Sequence, residues 1–235
     1  MKELSYRMEL VGAPVPELKS LLTTSFEQWD AEGSGIRSCA LSGGATAMIF
    51  LGALRNANVD WQRITLFWAD ERAVPPEDPE SNFGLAERML LSPLGARAPH
   101  AIRMPAENGD LEQAAQWYDH ALATALNDGP LDLAILGVGE DGHICSLFPG
   151  HKALLQDDLR AVAIEDAPKP PPRRLSLSMP FVLQTRKIWV IAIGSRKLPV
   201  LQAAVDKTSS STPLDLLMRQ GKDVTVFTDQ TLRRR

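Results

Sequence analysis

Two cysteines, four histidines and no apolar run of membrane-spanning length leave several classes of protein out of consideration. Cys39 and Cys145 fit no zinc spacing and make no disulfide framework, so the sequence predicts two reduced thiols in a cytoplasmic protein. The opening "MKELSYRMEL" lacks the apolar stretch of a signal peptide and alternates like a strand over residues 4–10. A formal net charge of −4 gives no reason to expect nucleic acid or an anionic membrane as partner. The closing Arg233, Arg234 and Arg235 read as a frayed end rather than a binding tail. No internal repeat, low-complexity linker or shift of composition divides the chain. With 44% apolar residues it predicts one domain over residues 1–235, as a monomer or small homo-oligomer.

What is present is alternation. Strand-like stretches at 36–41, 63–69 and 131–138 are separated by helix-like ones at 46–58, 82–91 and 110–127. Ser81 or Asn82 is the N-cap expected for the helix over 82–91. The helix over 110–127 places Leu111, Ala114, Ala115, Tyr118, Leu122 and Leu126 on one side. Further strands are expected at 160–164, 174–179, 188–193 and 223–228, with helices at 196–206 and 213–219. "LDLAILGV" and "KIWVIAI" are apolar throughout, which suits central strands of a parallel sheet covered on both faces. "RLSLSM" alternates, which predicts one less buried face. The fold class is therefore α/β: a Rossmann-like three-layer sandwich with a mostly parallel central sheet.

In such sheets ligands gather at the carboxyl ends of strands, and four polar segments fall at those ends. "LSGGATA" (41–47) follows a strand and opens a helix. Ser42 and Thr46 offer hydroxyls, and Gly43 and Gly44 allow close backbone approach. The helix N-terminus aims N–H groups at an anion, although the loop is neither a P-loop nor G-x-G-x-x-G, and a tight strand-to-helix turn explains it equally well. "DERAVPPEDPESN" (70–82) offers Arg72 as a phosphate donor, or else a surface ion-pair cluster. "GVGEDGHICSLFPG" (137–150) carries His143, whose ordinary pKa suits a general base, with Asp141 to orient it. Its glycines at 137, 139 and 142 suggest backbone packed close to a ligand. Cys145 lacks a third group to act as a nucleophile, and His143 with His151 fits no zinc pattern, so no metal site is expected. "KPPPRR" (169–174) is held extended by its prolines and presents Lys169 and Arg174, to an anion or to solvent. The residues alone point to a small phosphate ester and one acid–base histidine.

These four segments, in this order, resemble the 6-phosphogluconolactonase family, which carries an "LSGGST"-like loop, "DER-VP---P-SN", "G-G-DGH-ASLFPG" and "KPPP-R". "GSRKLPVLQAAV" (194–205) also fits. The resemblance implies hydrolysis of 6-phospho-D-glucono-1,5-lactone, the second step of the oxidative pentose phosphate pathway, without metal or organic cofactor. It implies His143 as general base and Asp141 as its partner. Ser42, Gly43, Gly44 and Thr46 become the anion cradle, with Arg72, Lys169 and Arg174 contacting substrate or phosphate. Ala45 stands where the family often has Ser or Thr, and Ala47 where Pro is common, which predicts an effect on affinity more than on chemistry. Two other readings stay open: a sugar-phosphate isomerase or deaminase with a similar fold and a "DGH" loop, using Asp70, Glu71 or Asp141 as base, and a non-catalytic sugar-phosphate sensor.

Overall fold

The computed structural model describes residues 7–208 and 211–232, so residues 4–6 of the expected first strand and the closing arginines lie outside the described residues. Strand β1 (Arg7–Gly12) leads into helix α1 (Val15–Ala31), followed by β2 (Arg37–Leu41), α2 (Ala47–Arg55), β3 (Ile64–Trp68) and β4 (Asp70–Arg72). The segment expected as one helix over 82–91 is α3 (Asn82–Ala86), a π turn over Glu87–Leu91 and then α4 (Ser92–Leu94). Next come β5 (His100–Ile102), α5 (Leu111–Leu126), β6 (Leu133–Gly137), β7 (Ala161–Ile164) and β8 (Arg174–Leu177). The chain closes with α6 (Met179–Gln184), β9 (Lys187–Ala192), α7 (Leu198–Val205), α8 (Pro213–Gln220) and β10 (Asp223–Thr228).

Seven strands form one sheet in the order β1-β10-β9-β6-β2-β3-β5, and every neighbouring pair is parallel. The apolar runs decide the centre. Leu133, Ala134, Ile135 and Leu136 of β6, and Ile188, Val190 and Ile191 of β9, are fully enclosed between helices. Helix α5 starts at Asp110, whose carboxylate accepts from the Gln113 N–H at 3.0 Å, and ends at Asn127 in the left-handed conformation. It buries Leu111, Ala114, Ala115, Tyr118 and Leu122, while Leu126 is only partly covered. The Tyr118 hydroxyl accepts from Trp68 N–H at 2.8 Å and donates towards Trp68 O at 3.1 Å, which pins the helix to the carboxyl end of β3.

Other segments also depart from expectation. "DER", read from sequence as the start of a loop, is strand β4. It pairs antiparallel with β8, and β8 with β7, making a second, three-stranded sheet. The predicted strands at 160–164 and 174–179 thus belong to this small sheet, and Met179 already begins α6. All four β8 residues are buried, against the less covered face expected from "RLSLSM". The reason is that β8 is the middle strand of the small sheet and its Ser176 hydroxyl accepts the Ser146 N–H at 3.2 Å, so a polar side chain is satisfied inside. Ala69 joins the two sheets: its N–H donates to Leu41 O at 2.9 Å and its carbonyl accepts from Leu177 N at 2.8 Å.

From β2 the chain moves outward to β3, whereas from β6 it moves to β9 on the other side. Strands β2 and β6 are adjacent, so the crevice beyond their carboxyl ends is a topological switch point.

Candidate active site

A cavity of about 580 Å³ opens at that crevice. It is lined by the turn after β2 (Ser42–Thr46), by Asp70 and Arg72 of β4, by the loop after β6 (Val138, Gly139, Glu140, His143, Cys145), by Lys169 and Arg174, and by Ile193–Lys197 after β9. Of the nine residues to which the family resemblance gives a catalytic or binding role, only Asp141 does not line it. Asp141 stands behind His143, and its Oδ1 lies 2.5 Å from His143 Nδ1.

The loop after β6 is shaped by short bonds. Gly139 N–H donates to His143 O at 2.8 Å, and Gly142 N–H donates to Gly139 O at 3.1 Å. Gly142 has φ +81°, and a Cβ there would lie 2.8 Å from Thr212 Cβ. Its carbonyl accepts from Leu214 N at 3.0 Å, tying the loop to the first turn of α8. Phe148 packs on the imidazole with ring centroids 4.4 Å apart. Since Asp141 accepts from Nδ1–H, Nε2 carries the lone pair, and no group among the described residues engages it. Burial pushes the His143 pKa below its ordinary value; Asp141 works against this and Lys169 with it. Burial works to raise the Asp141 carboxyl, yet bonds to Lys169 and His143 prevail and hold it at about 2. The pair is therefore a neutral imidazole against an ionised carboxylate at neutral pH.

Opposite it, the turn Ser42–Thr46 offers an anion seat. No backbone N–H of Gly43, Gly44, Ala45 or Thr46 has a protein acceptor among the described residues. Ser42 Oγ is buried without a partner, on the cavity lining. Helix α2 starts directly after, adding the positive end of its dipole. Gly43 passes so close to α3 that a Cβ would fall 1.8 Å from Asn82 Oδ1, and Asn82 is fixed by its Nδ2 donating to Asp70 O at 2.9 Å. Gly43→Ala is accordingly expected to displace the turn. Loss of one charge-assisted bond, about 1.5 kcal/mol, raises KM for an anionic substrate roughly tenfold, read in steady-state kinetics with kcat little changed.

The cations differ in their freedom. Arg72 Nη1 donates to Glu80 O at 2.7 Å, while its buried Nε has no partner. Arg174 is 4% exposed and its guanidinium donates to the carbonyls of Lys169, Pro170 and Pro171 and to Ser146 Oγ, so most of its donors hold the 169–174 loop. Ser146 in turn donates to Asp70 Oδ2 at 2.8 Å. Lys169 Nζ stands 2.9 Å from Asp141 Oδ2. Arg196 pairs with Glu140 at 3.1 Å across the mouth. Burial pushes the Lys197 ammonium below its usual range, with Glu140 acting against it.

Sequence reasoning gave no role to Ser195, Arg196 and Lys197, although "GSRK" directly follows the apolar run of β9, the same signal that marked the other strand-end segments. It also missed Glu71 as a brace. The Glu71 carboxylate accepts from the N–H groups of Arg72, Asn82 and Phe83 and from Ser81 Oγ, fixing the start of α3. Burial pushes this carboxyl up, and the backbone donors pull it down. Burial likewise raises the Cys145 thiol well above its ordinary value, which leaves it a poor nucleophile. A larger hollow, about 830 Å³ beside Leu10, Pro14, Val15 and Leu232, has Asp229 as its one titratable side chain among the described residues, already held by Gly194 N–H at 2.8 Å.

A parallel α/β sheet with a cation-ringed cavity at its switch point, and a histidine–carboxylate pair opposite a turn of unpartnered N–H groups, has the chemistry to receive a small anionic ligand. The family model of glucosamine-6-phosphate isomerases/6-phosphogluconolactonase matches residues 16–227, and the chain belongs to that family. It is 37% identical over 193 residues to a 6-phosphogluconolactonase of Streptomyces coelicolor, covering 75% of this chain and 73% of that one. It is 36% identical over 175 residues to a 6-phosphogluconolactonase of Mycobacterium tuberculosis, covering 70% and 71%. The crystal structure of 6-phosphogluconolactonase from Thermotoga maritima superposes with a TM-score of 0.80 at 25% identity, covering 95% of this chain and 99% of that one.

Proposed function

We propose that this chain hydrolyses the ring ester of 6-phospho-D-glucono-1,5-lactone to 6-phosphogluconate, the second step of the oxidative pentose phosphate pathway. The observation that carries the reading is a half-buried imidazole whose Nδ1 is taken by Asp141 and whose Nε2 is left for a water in the cavity. The substrate phosphate sits on the Ser42–Thr46 turn, with Lys197 and Arg72 beside it. His143 Nε2 takes a proton from water as the water oxygen bonds to C1. The carbonyl oxygen becomes an oxyanion held by N–H groups or a cation at the rim. The bond from C1 to the ring oxygen then breaks, and that oxygen takes the proton back from Nε2, leaving the open-chain acid. Every step runs on protein groups and water.

The carboxylates speak against proton transfer between C1 and C2. Asp70 accepts the Ser146 hydroxyl, Glu71 lies under four donors and Asp141 is shared by His143 and Lys169, so each of the three candidate bases for an isomerase is engaged. Cys39 and Cys145, both buried and unpaired, fit a reducing compartment, and we place the reaction in the cytoplasm. Relatives from rice carry "chloroplastic" in their names. Among the described residues no helix is long and apolar enough to cross a membrane.

The test is lactone loss, with substrate generated in place by glucose-6-phosphate dehydrogenase and the spontaneous opening subtracted. A large excess over background supports hydrolysis. Solvent deuterium entering C2 without lactone loss would instead establish the isomerase reading, and tight binding without turnover the sensor.

A further inference from the structure

Lys169 differs from the other cavity cations in facing the catalytic pair. Its Nζ lies 2.9 Å from Asp141 Oδ2 and 3.5 Å from His143 Nδ1, so Asp141 divides its two oxygens between the imidazole and the ammonium. Its backbone is clamped as well. Arg174 donates to the carbonyls of residues 169, 170 and 171, and its guanidinium lies over Phe148, the ring that also packs on His143. The lysine thus has a fixed position relative to the imidazole, set by groups that do not themselves need substrate.

We propose that Lys169 is a positioning residue for the lactonase reaction: it holds one oxygen of Asp141 so that the other orients His143, and it keeps the imidazole neutral for base catalysis, instead of binding the substrate phosphate. The proposal rests on the hydrolase reading above. The physics is charge sharing. A carboxylate alone against an imidazole favours imidazolium, which has no lone pair for water; an ammonium at the same carboxylate offsets that pull. The charged groups that face the imidazole are Asp141 from its own loop, Lys169 from the 165–174 loop and Asp70 from β4. Lys169 and Asp141 act in turn on Lys197, after β9. Removing Lys169 leaves two carboxylates and burial to set the balance, so the midpoint of His143 moves up.

The experiment compares the full-length protein with Lys169→Met and Lys169→Arg. The Lys169 side chain is 44% exposed, so neither change threatens the fold, and thermal melts check this. The first readout is an NMR titration of the His143 ring, assigned against His143→Gln and needing no substrate. The second is kcat/KM against pH; ionisation of the substrate phosphate is common to all variants. Lys169→Met is expected to raise the ring midpoint and move the acid limb to higher pH, with KM at pH 8 changed less than about threefold, and Lys169→Arg to restore both. An unmoved ring midpoint in Lys169→Met overturns the proposal. So does a KM raised about tenfold or more with an unshifted limb, which is the mark of a phosphate ligand. A shifted ring midpoint in a protein that shows no lactone hydrolysis supports the charge coupling and removes the hydrolase reading, so the two fail separately.

Discussion

His143→Ala is expected to lower kcat for lactone hydrolysis by roughly 100-fold or more. The other acid–base side chains that line the cavity are engaged or protonated: Asp70 accepts the Ser146 hydroxyl, Glu140 pairs with Arg196, and burial holds Cys145 as a thiol. The anion seat and any oxyanion donors stay, so residual turnover above background remains and KM changes little. Initial rates of lactone loss, corrected for spontaneous opening, give the number; near-normal turnover in a folded variant removes the assignment. The wild-type pH profile follows from the same residue. The His143 pKa lies below its ordinary 6.5, so the basic form dominates at neutrality. Activity should be level above that point and fall as pH drops through the lowered value, placing the acid limb below 6.5.

The second large effect is expected at Gly139. A Cβ on this residue would lie 2.0 Å from His143 Nδ1 and 2.3 Å from Asp141 Oδ1. The atoms in the way are side-chain atoms, not backbone, so the chain can still fold by moving them. What moves is the pair that does the chemistry. A displacement of the order of 1 Å costs roughly 100-fold in rate, so Gly139→Ala should fall as far as His143→Ala while melting within a few degrees of wild type. Paired kinetics and thermal melts test this; retained activity would mean that the imidazole and carboxylate work from positions other than those described here.

These two residues also show how far the sequence can be read. Gly139 stood out as a glycine beside a histidine, but its purpose, room for a hydrogen bond between residues two and four positions on, needs coordinates. The long apolar runs of β6 and β9 are legible because burial on both faces removes polar residues altogether. Strand β4 is illegible for the opposite reason: three charged residues carry no periodicity, and what makes them a strand is pairing with β8, far away in the chain. Strand β5 is missed likewise, being one exposed and two half-covered residues at a sheet edge. Arg174 shows a limit of motif reading. The sequence offers a cation in a proline-rich loop, and only the bonds to three successive carbonyls show that most of its donors are spent on holding that loop.

The common direction of the seven sheet strands gives the molecule a working rim and an idle one. Every loop that touches the cavity leaves a carboxyl end or is braced against one, whereas the turns at the amino ends see none of it. The turn between α5 and β6 is of the second kind, with Asn127 and Asp128 exposed and in left-handed conformations. Whatever this protein is joined to, by gene fusion, by a label or by attachment to a solid support, belongs at that rim, where the entrance for substrate stays unobstructed.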